Sequence, residues 1–234
     1  MPASSKTVWI TRASPGAEAT AERVRALGHS PLVAPLLAVE MVAGPAPDLA
    51  GVGALAFTSA NGVRAFAERS ADRSPPVFAV GAATAAAARA VGFRRVLSAD
   101  GDVKALAEGL IARKGEIAGA VLHPGAREPA GDLVGALAAA GMEARRLVLY
   151  DTVAAPAPQA ALDALPEIDI ALIHSPKGAK ALAAVLRKHP APRLRIVAIS
   201  KAALAPLARA RVAAKACSPL PLEAAMLNLL DRDP

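Results

Sequence analysis

Six short segments hold the groups that could do chemistry: Thr11-Arg12, Thr58-Ser59-Ala60-Asn61, Gly81-Ala82-Ala83-Thr84, His123-Pro124-Gly125, His174-Ser175 and Ser200-Lys201. Each follows a short apolar run and precedes a helical stretch. They supply small residues, hydroxyls and cations, and almost no carboxylate that could act as a base. Where a strand ends and a helix begins, the first backbone N–H groups are unpaired and carry partial positive charge. Turns of this kind bind anions, and several facing each other would make a cleft for a large polyanion. Each group also has a plainer role. Ser59 and Ser175 are suited to capping their helices, and Thr84, a turn inside its helix, to bonding back to a carbonyl. His123 and His174 follow apolar strands and read as structural. Arg12, beside a buried strand end, calls for an anionic partner. Tyr150 is the only tyrosine; its default reading is a partly buried ring with a bonded hydroxyl.

The elements that must position these groups are legible from periodicity and punctuation. Val8-Trp9-Ile10 reads as a strand, followed by Ser14 as helix cap, Pro15 at the first helical position, and a helix to about Leu27 stopped by Gly28. Ala54–Phe57 leads into a helix through Phe66, and Val77–Val80 into a helix from Ala82 to Val91 stopped by Gly92. Asp102 caps a helix over 103–111. Val121-Leu122 leads to a helix ending before Gly141, and Leu147–Tyr150 is a further strand. Strands alternating with helices of about 10–15 residues predict parallel sheets in an α/β fold. The chain also repeats itself: Ala54–Gly62 resembles Ile170–Gly178, with Ser59 and Ser175 116 positions apart, and Val77–Thr84 resembles Ile196–Ala203. Two similar lobes are expected, with crossings near the proline-rich stretches Gly44–Pro47 and Ala154–Pro158.

Composition removes other classes. The 234 residues are 54% hydrophobic, 20% charged and 3% aromatic, so a large core must be built from small aliphatic side chains. A net charge of +7 favours acidic ligands. A lone Cys217 rules out an intramolecular disulfide framework and a thiolate zinc site, and the four histidines show no ligand spacing, so no metal is expected. Gly51-Val52-Gly53 lacks the rest of a dinucleotide fingerprint, and no phosphate-binding loop of the GxxxxGK type occurs. One Trp and one Tyr offer little for base stacking, so nucleic acid is not expected. Met1–Lys6 carries no apolar leader and no window reaches the roughly 18 apolar residues of a membrane span. A cytoplasmic protein is expected.

Taken in order, Thr11-Arg12, Pro35-Leu36-Leu37, Phe57–Val63, Val80–Ala85, Leu149–Thr152, His174-Ser175-Pro176 and Ser218-Pro219 resemble the uroporphyrinogen-III synthase family over essentially the whole chain. The resemblance implies a HemD-like fold of two similar α/β lobes with parallel sheets joined by a two-stranded connector. Lobe one would comprise 1–35 and 154–234, the connector 36–42 and 148–153, and lobe two 43–147. It implies a monomeric, cofactor-independent lyase that closes hydroxymethylbilane, an octacarboxylic linear tetrapyrrole, with loss of water and inversion of the terminal ring. Tyr150 matches the tyrosine that assists hydroxyl loss. Arg12, Ser59, Asn61, Gly81, Thr84, Ser175, Lys177, Ser200 and Lys201 would contact substrate. Ser200–Ala203 stands where the family has a second Gly-x-x-Thr turn, with Lys177 or Lys201 as compensating cations; Gly131 lies near a family arginine, with Arg127 upstream. The alternative is a non-catalytic two-lobed homologue that binds tetrapyrroles or polyanions.

Overall fold

The computed structural model describes residues 5–129 and 131–232; Met1–Ser4, part of the N-terminal segment expected to carry no leader, lie outside them. In chain order, β1 (Thr7–Ile10), α1 (Gly16–Ala26), β2 (Ser30–Val33) and β3 (Leu37–Met41) come first. Then follow β4 (Val52–Phe57), α2 (Ala60–Arg69), β5 (Val77–Ala79), α3 (Ala82–Ala90), β6 (Val96–Ser98), α4 (Val103–Ile111), β7 (Ala120–Ala126), α5 (Leu133–Ala139) and β8 (Ala144–Ala154). The last elements are α6 (Gln159–Asp163), β9 (Ile170–Ile173), α7 (Pro176–Lys188), β10 (Arg195–Ala198), α8 (Lys201–Leu204), β11 (Ala214–Cys217) and α9 (Glu223–Leu227). Two compact units result, Met1–Ala38 with Val153–Pro234, and Val39–Thr152. The chain passes from one to the other within β3 and within β8, which are hydrogen-bonded neighbours. Gly44–Pro47 therefore lies inside the second unit, not at a crossing.

The discontinuous unit is built on a five-stranded sheet in the order β11-β10-β9-β1-β2, with every pair parallel. Its central strands read as unbroken apolar runs because both faces are covered. Val8 and Ile10 face α1 and α9, against Ala17, Val24 and Met226. Trp9 faces the other way, into the layer of Leu182, Leu186 and Ile196. β2, absent from the sequence reading, is an edge strand. Pro31 cannot donate to a ladder, so the segment lacks a strand signature and is tolerated only at an edge.

The continuous unit carries a six-stranded sheet, β3-β8-β7-β4-β5-β6, parallel from β8 to β6. One face is packed by Phe57, Phe66 and Phe93, whose rings lie 5.9–6.3 Å apart. This aromatic knot stiffens a core that is otherwise small and aliphatic. Gly28, Gly92 and Gly141 take positive φ (84°, 101° and 70°) two residues past the last helical residue of α1, α3 and α5, the expected left-handed stops. Asp102 caps α4 by accepting the Ala105 N–H at 3.0 Å. Ser14 does not cap α1. Pro15 occupies the cap position, which leaves Ser14 one residue too early, and its hydroxyl donates to Glu18 at 2.6 Å.

Gly119 enters β7 at φ 111°, and a Cβ there would collide with the Gly51 carbonyl. Gly119→Ala is expected to cost about 1–3 kcal/mol, read as a lower urea midpoint with an unchanged m-value.

Candidate active site

Five of the six sequence-predicted turns stand at carboxyl ends of strands, and in four of them one geometry recurs; His123-Pro124-Gly125 lies instead within β7, because the strand runs on to Ala126. Ser59, Ser175 and Ser200 are extended (φ −159°, −159° and −158°) and cap α2, α7 and α8. Each Oγ accepts the N–H three residues on, from Gly62, Gly178 and Ala203, all at 3.1 Å. The plain capping role is therefore real for all three. Gly62 also lets α2 start against β7, because a Cβ would stand 2.9 Å from the Pro124 carbonyl. Gly81 caps α3 without a side chain, and nothing lies within 4 Å of where its Cβ would be. A ligand can thus approach that backbone closely. Thr84 is buried at the third position of α3, and Ala203 at the third position of α8. Relative to α3, the hydroxyl of the α8 turn has moved from the third residue to the cap. Asn61 and Lys177 lie half-buried in the first turns of α2 and α7, and Lys201 is exposed at the start of α8.

Tyr150 is brought to the Ser59 turn by an irregularity. Gly125 pairs with Val148 but Ala126 pairs with Tyr150, so β8 carries one extra residue opposite the end of β7. Such a bulge re-aims the side chains beyond it, and Leu149 and Tyr150 consequently join the same cluster. The phenol is buried, and its oxygen lies 2.7 Å from Ser59 Oγ. Burial pushes its pKa above that of an ordinary tyrosine, outweighing the opposing hydrogen bond from Ser59. At neutral pH the ring is a neutral proton donor. Beside it, Arg127 Nε reaches Asp151 Oδ2 at 3.3 Å.

The other unit holds a group that the turn-by-turn reading missed. Glu223, the first residue of α9, is largely buried and collects cations and donors at the carboxyl ends of β1 and β9. Its Oε1 accepts from Arg12 Nη1 at 3.2 Å and His174 Nε2 at 3.0 Å, and the Thr20 hydroxyl reaches the same atom. Its Oε2 is paired with Arg23. Arg12 thus has an anionic partner inside the chain, 211 residues away in sequence. Burial and the two arginines hold His174 near a pKa of about 3, so it is neutral and donates from Nε2. His123 is also buried and neutral. Its Nδ1–H donates to the Ala56 carbonyl at 2.8 Å, which fits its structural reading.

The depressed histidine carries a stability consequence. Its folded pKa of about 3 lies below the ordinary 6.5, so as pH falls the unfolded chain takes up the proton first. Stability is complete above pH 6.5 and declines toward pH 3, by about 1.4 kcal/mol per pH unit. Urea titrations at pH 7 and pH 5 should show this loss, and His174→Asn should flatten the slope.

Among the described residues no group of three or more His, Cys, Asp or Glu could hold a metal ion. No helix among the described residues is long and apolar enough to cross a membrane.

The family model for uroporphyrinogen-III synthase HemD matches residues 18–228. The chain belongs to the uroporphyrinogen-III synthase family. Its fold is similar to that of uroporphyrinogen-III synthetase from Helicobacter pylori 26695, with a TM-score of 0.61 at 18% identity over 96% of this chain and 97% of that one. It is also similar to a mutant uroporphyrinogen III synthase from Thermus thermophilus, with a TM-score of 0.51 at 20% identity over 96% of each chain. No curated protein sequence matches it. The α/β fold with two parallel-rich sheets is that of this family. Within the family the reaction is a cofactor-independent, cyclising dehydration of a linear tetrapyrrole.

Proposed function

We propose that this chain closes hydroxymethylbilane to uroporphyrinogen III with Tyr150 as the proton donor to the departing hydroxyl. The observation that carries the residue-level reading is the Tyr150–Ser59 pair: a buried, neutral phenol held at 2.7 Å by the cap of α2, beside the open backbone of Gly81. The substrate's electron-rich terminal pyrrole pushes out the hydroxyl. The phenol gives that oxygen its proton, the C–O bond breaks, and water leaves. The cation left behind is attacked by the substituted carbon of the far ring, which gives the spiro route to inversion. The phenolate regains its proton when the new macrocycle loses one on regaining aromaticity.

Eight carboxylates must be held while this happens. Amide groups at the starts of α2, α3, α7 and α8 suit them, with Ser59, Asn61, Thr84, Ser175 and Ser200 adding polar contacts. Arg12, Lys177 and Lys201 supply the cations. Geometry decides the product, because unassisted closure gives the uninverted isomer. The net charge of +7 suits an acidic small molecule, and the scarcity of aromatic side chains argues against nucleic acid; we read the protein as a monomer that engages no membrane. We place it in the cytoplasm.

The deciding experiment supplies freshly made hydroxymethylbilane and resolves type I from type III product. Type III above the uncatalysed rate is expected; type I alone, at the uncatalysed rate, overturns the reading.

A further inference from the structure

We infer that Glu223 and Gly16 are positioning residues that aim Arg12 at a substrate carboxylate, an inference that rests on the reading of Arg12 as a substrate contact. Arg12 leaves the end of β1 and lies across the first residue of α1. A Cβ on Gly16 would stand 2.6–2.7 Å from the Arg12 Nε, Cζ and Nη2 atoms, so only glycine leaves that track open. At the far end Glu223 Oε1 holds Arg12 Nη1 at 3.2 Å. The guanidinium is only partly withdrawn from solvent, its side chain 36% exposed against 13% for Glu223. Nη1 is thus held by the protein, and the partly exposed side chain retains further donors for an incoming anion.

The remaining partners of Glu223 explain how Arg12 can be shared. Glu223 keeps Arg23 on Oε2, and His174 and Thr20 on Oε1, so the carboxylate stays in place while Arg12, still held through Nη1, also meets a substrate carboxylate. A buried carboxylate stripped of every partner would cost several kcal/mol. Here three donors besides Arg12 hold the carboxylate, so it remains a rigid anchor for Arg12. The two cations and one anion also leave this corner net positive, which suits an acidic ligand.

Three variants test this in the full-length chain. Glu223→Gln removes the anchor charge. Gly16→Ala pushes the flexible end of Arg12 aside without disturbing backbone, and alanine is the better helix former. Arg25→Gln removes a cation from the same helix that pairs with Glu22 instead, and serves as the control. Both positioning variants should raise KM about three- to tenfold with kcat unchanged, because the cation is still present but no longer aimed, a loss the size of one ordinary hydrogen bond. Gly16→Ala should do so with a melting temperature equal to or above that of the parent. Arg25→Gln should change KM less than twofold. A normal KM in Glu223→Gln or in Gly16→Ala overturns the inference. Titration with uroporphyrin, the stable octacarboxylic macrocycle, gives a second readout by fluorescence. If the parent chain makes no type III product, the catalytic reading fails. Positioning is then judged on uroporphyrin alone: equal weakening in Arg12→Gln, Glu223→Gln and Gly16→Ala supports it, and unchanged binding in the last two overturns it.

Discussion

Tyr150→Phe is expected to lower kcat by about 10²–10⁴-fold, the range of a lost general acid, with KM nearly unchanged. Phenylalanine keeps the ring in its buried site and removes only the proton that the leaving oxygen needs. The slow residual closure should shift toward the type I isomer, because uncatalysed cyclisation then competes with the enzyme. Folding should suffer little, about 1 kcal/mol, since Ser59 Oγ still accepts the Gly62 N–H at 3.1 Å. Ser59→Ala separates the two roles of that hydroxyl. It removes the cap of α2, at about 1 kcal/mol, and frees the phenol from its 2.7 Å contact. Its kcat should fall less than that of Tyr150→Phe, because the acid is still present but no longer held. The pH profile adds a further check. Burial raises the phenol above the ordinary value of 10.0, so phenol ionisation should cost the enzyme no activity through neutral and mildly alkaline pH. A parent enzyme whose activity titrates away near pH 8–9 with the loss of a tyrosine proton would contradict the assignment.

The caps and stops were the legible part of this fold, because they are local. Asp102, Ser59 and Ser175 each meet an N–H three residues on, and Gly28, Gly92 and Gly141 relieve a left-handed turn at a helix end. Both effects act within five residues, so the sequence displays them. The internal repeat was legible for the same reason, and its two best-matched serines share one backbone conformation. What stayed hidden depends on distant chain. Glu223 is an unremarkable acid after Leu220-Pro221-Leu222 until α9 packs on α1 and brings it to Arg12 and His174. Gly16 reads as a weak helix start until Arg12 lies over it. Tyr150 could be singled out by its rarity, but its hydroxyl partner depends on the extra residue in β8, and bulges leave no mark in an apolar run. β2 escaped because an edge strand needs neither alternation nor a full set of donors.

Trp9→Ala should be the most destabilising change in the discontinuous unit, at about 3–5 kcal/mol. The indole is fully buried on β1, three residues before Arg12, and its Nε1–H donates to the Ala34 carbonyl at 2.7 Å. It packs with Leu36 and Leu37, where the chain leaves β2 on its way into β3. With so few aromatics, no neighbour is large enough to fill the space, and an alanine-rich layer relaxes poorly around a cavity. Trp9→Phe separates packing from hydrogen bonding. It retains most of the volume but leaves the Ala34 carbonyl without its donor, so about 1–3 kcal/mol is expected. Urea unfolding followed by circular dichroism measures both variants. The parent offers a cross-check, since its single tryptophan reports on this unit alone while circular dichroism reports on both. The same loss should appear in substrate binding only when the unit unfolds, because the indole lies in the core layer and not among the groups that hold carboxylates. A Trp9→Ala chain as stable as the parent would mean that the Trp9 layer does not hold β1 and the Arg12 turn in place.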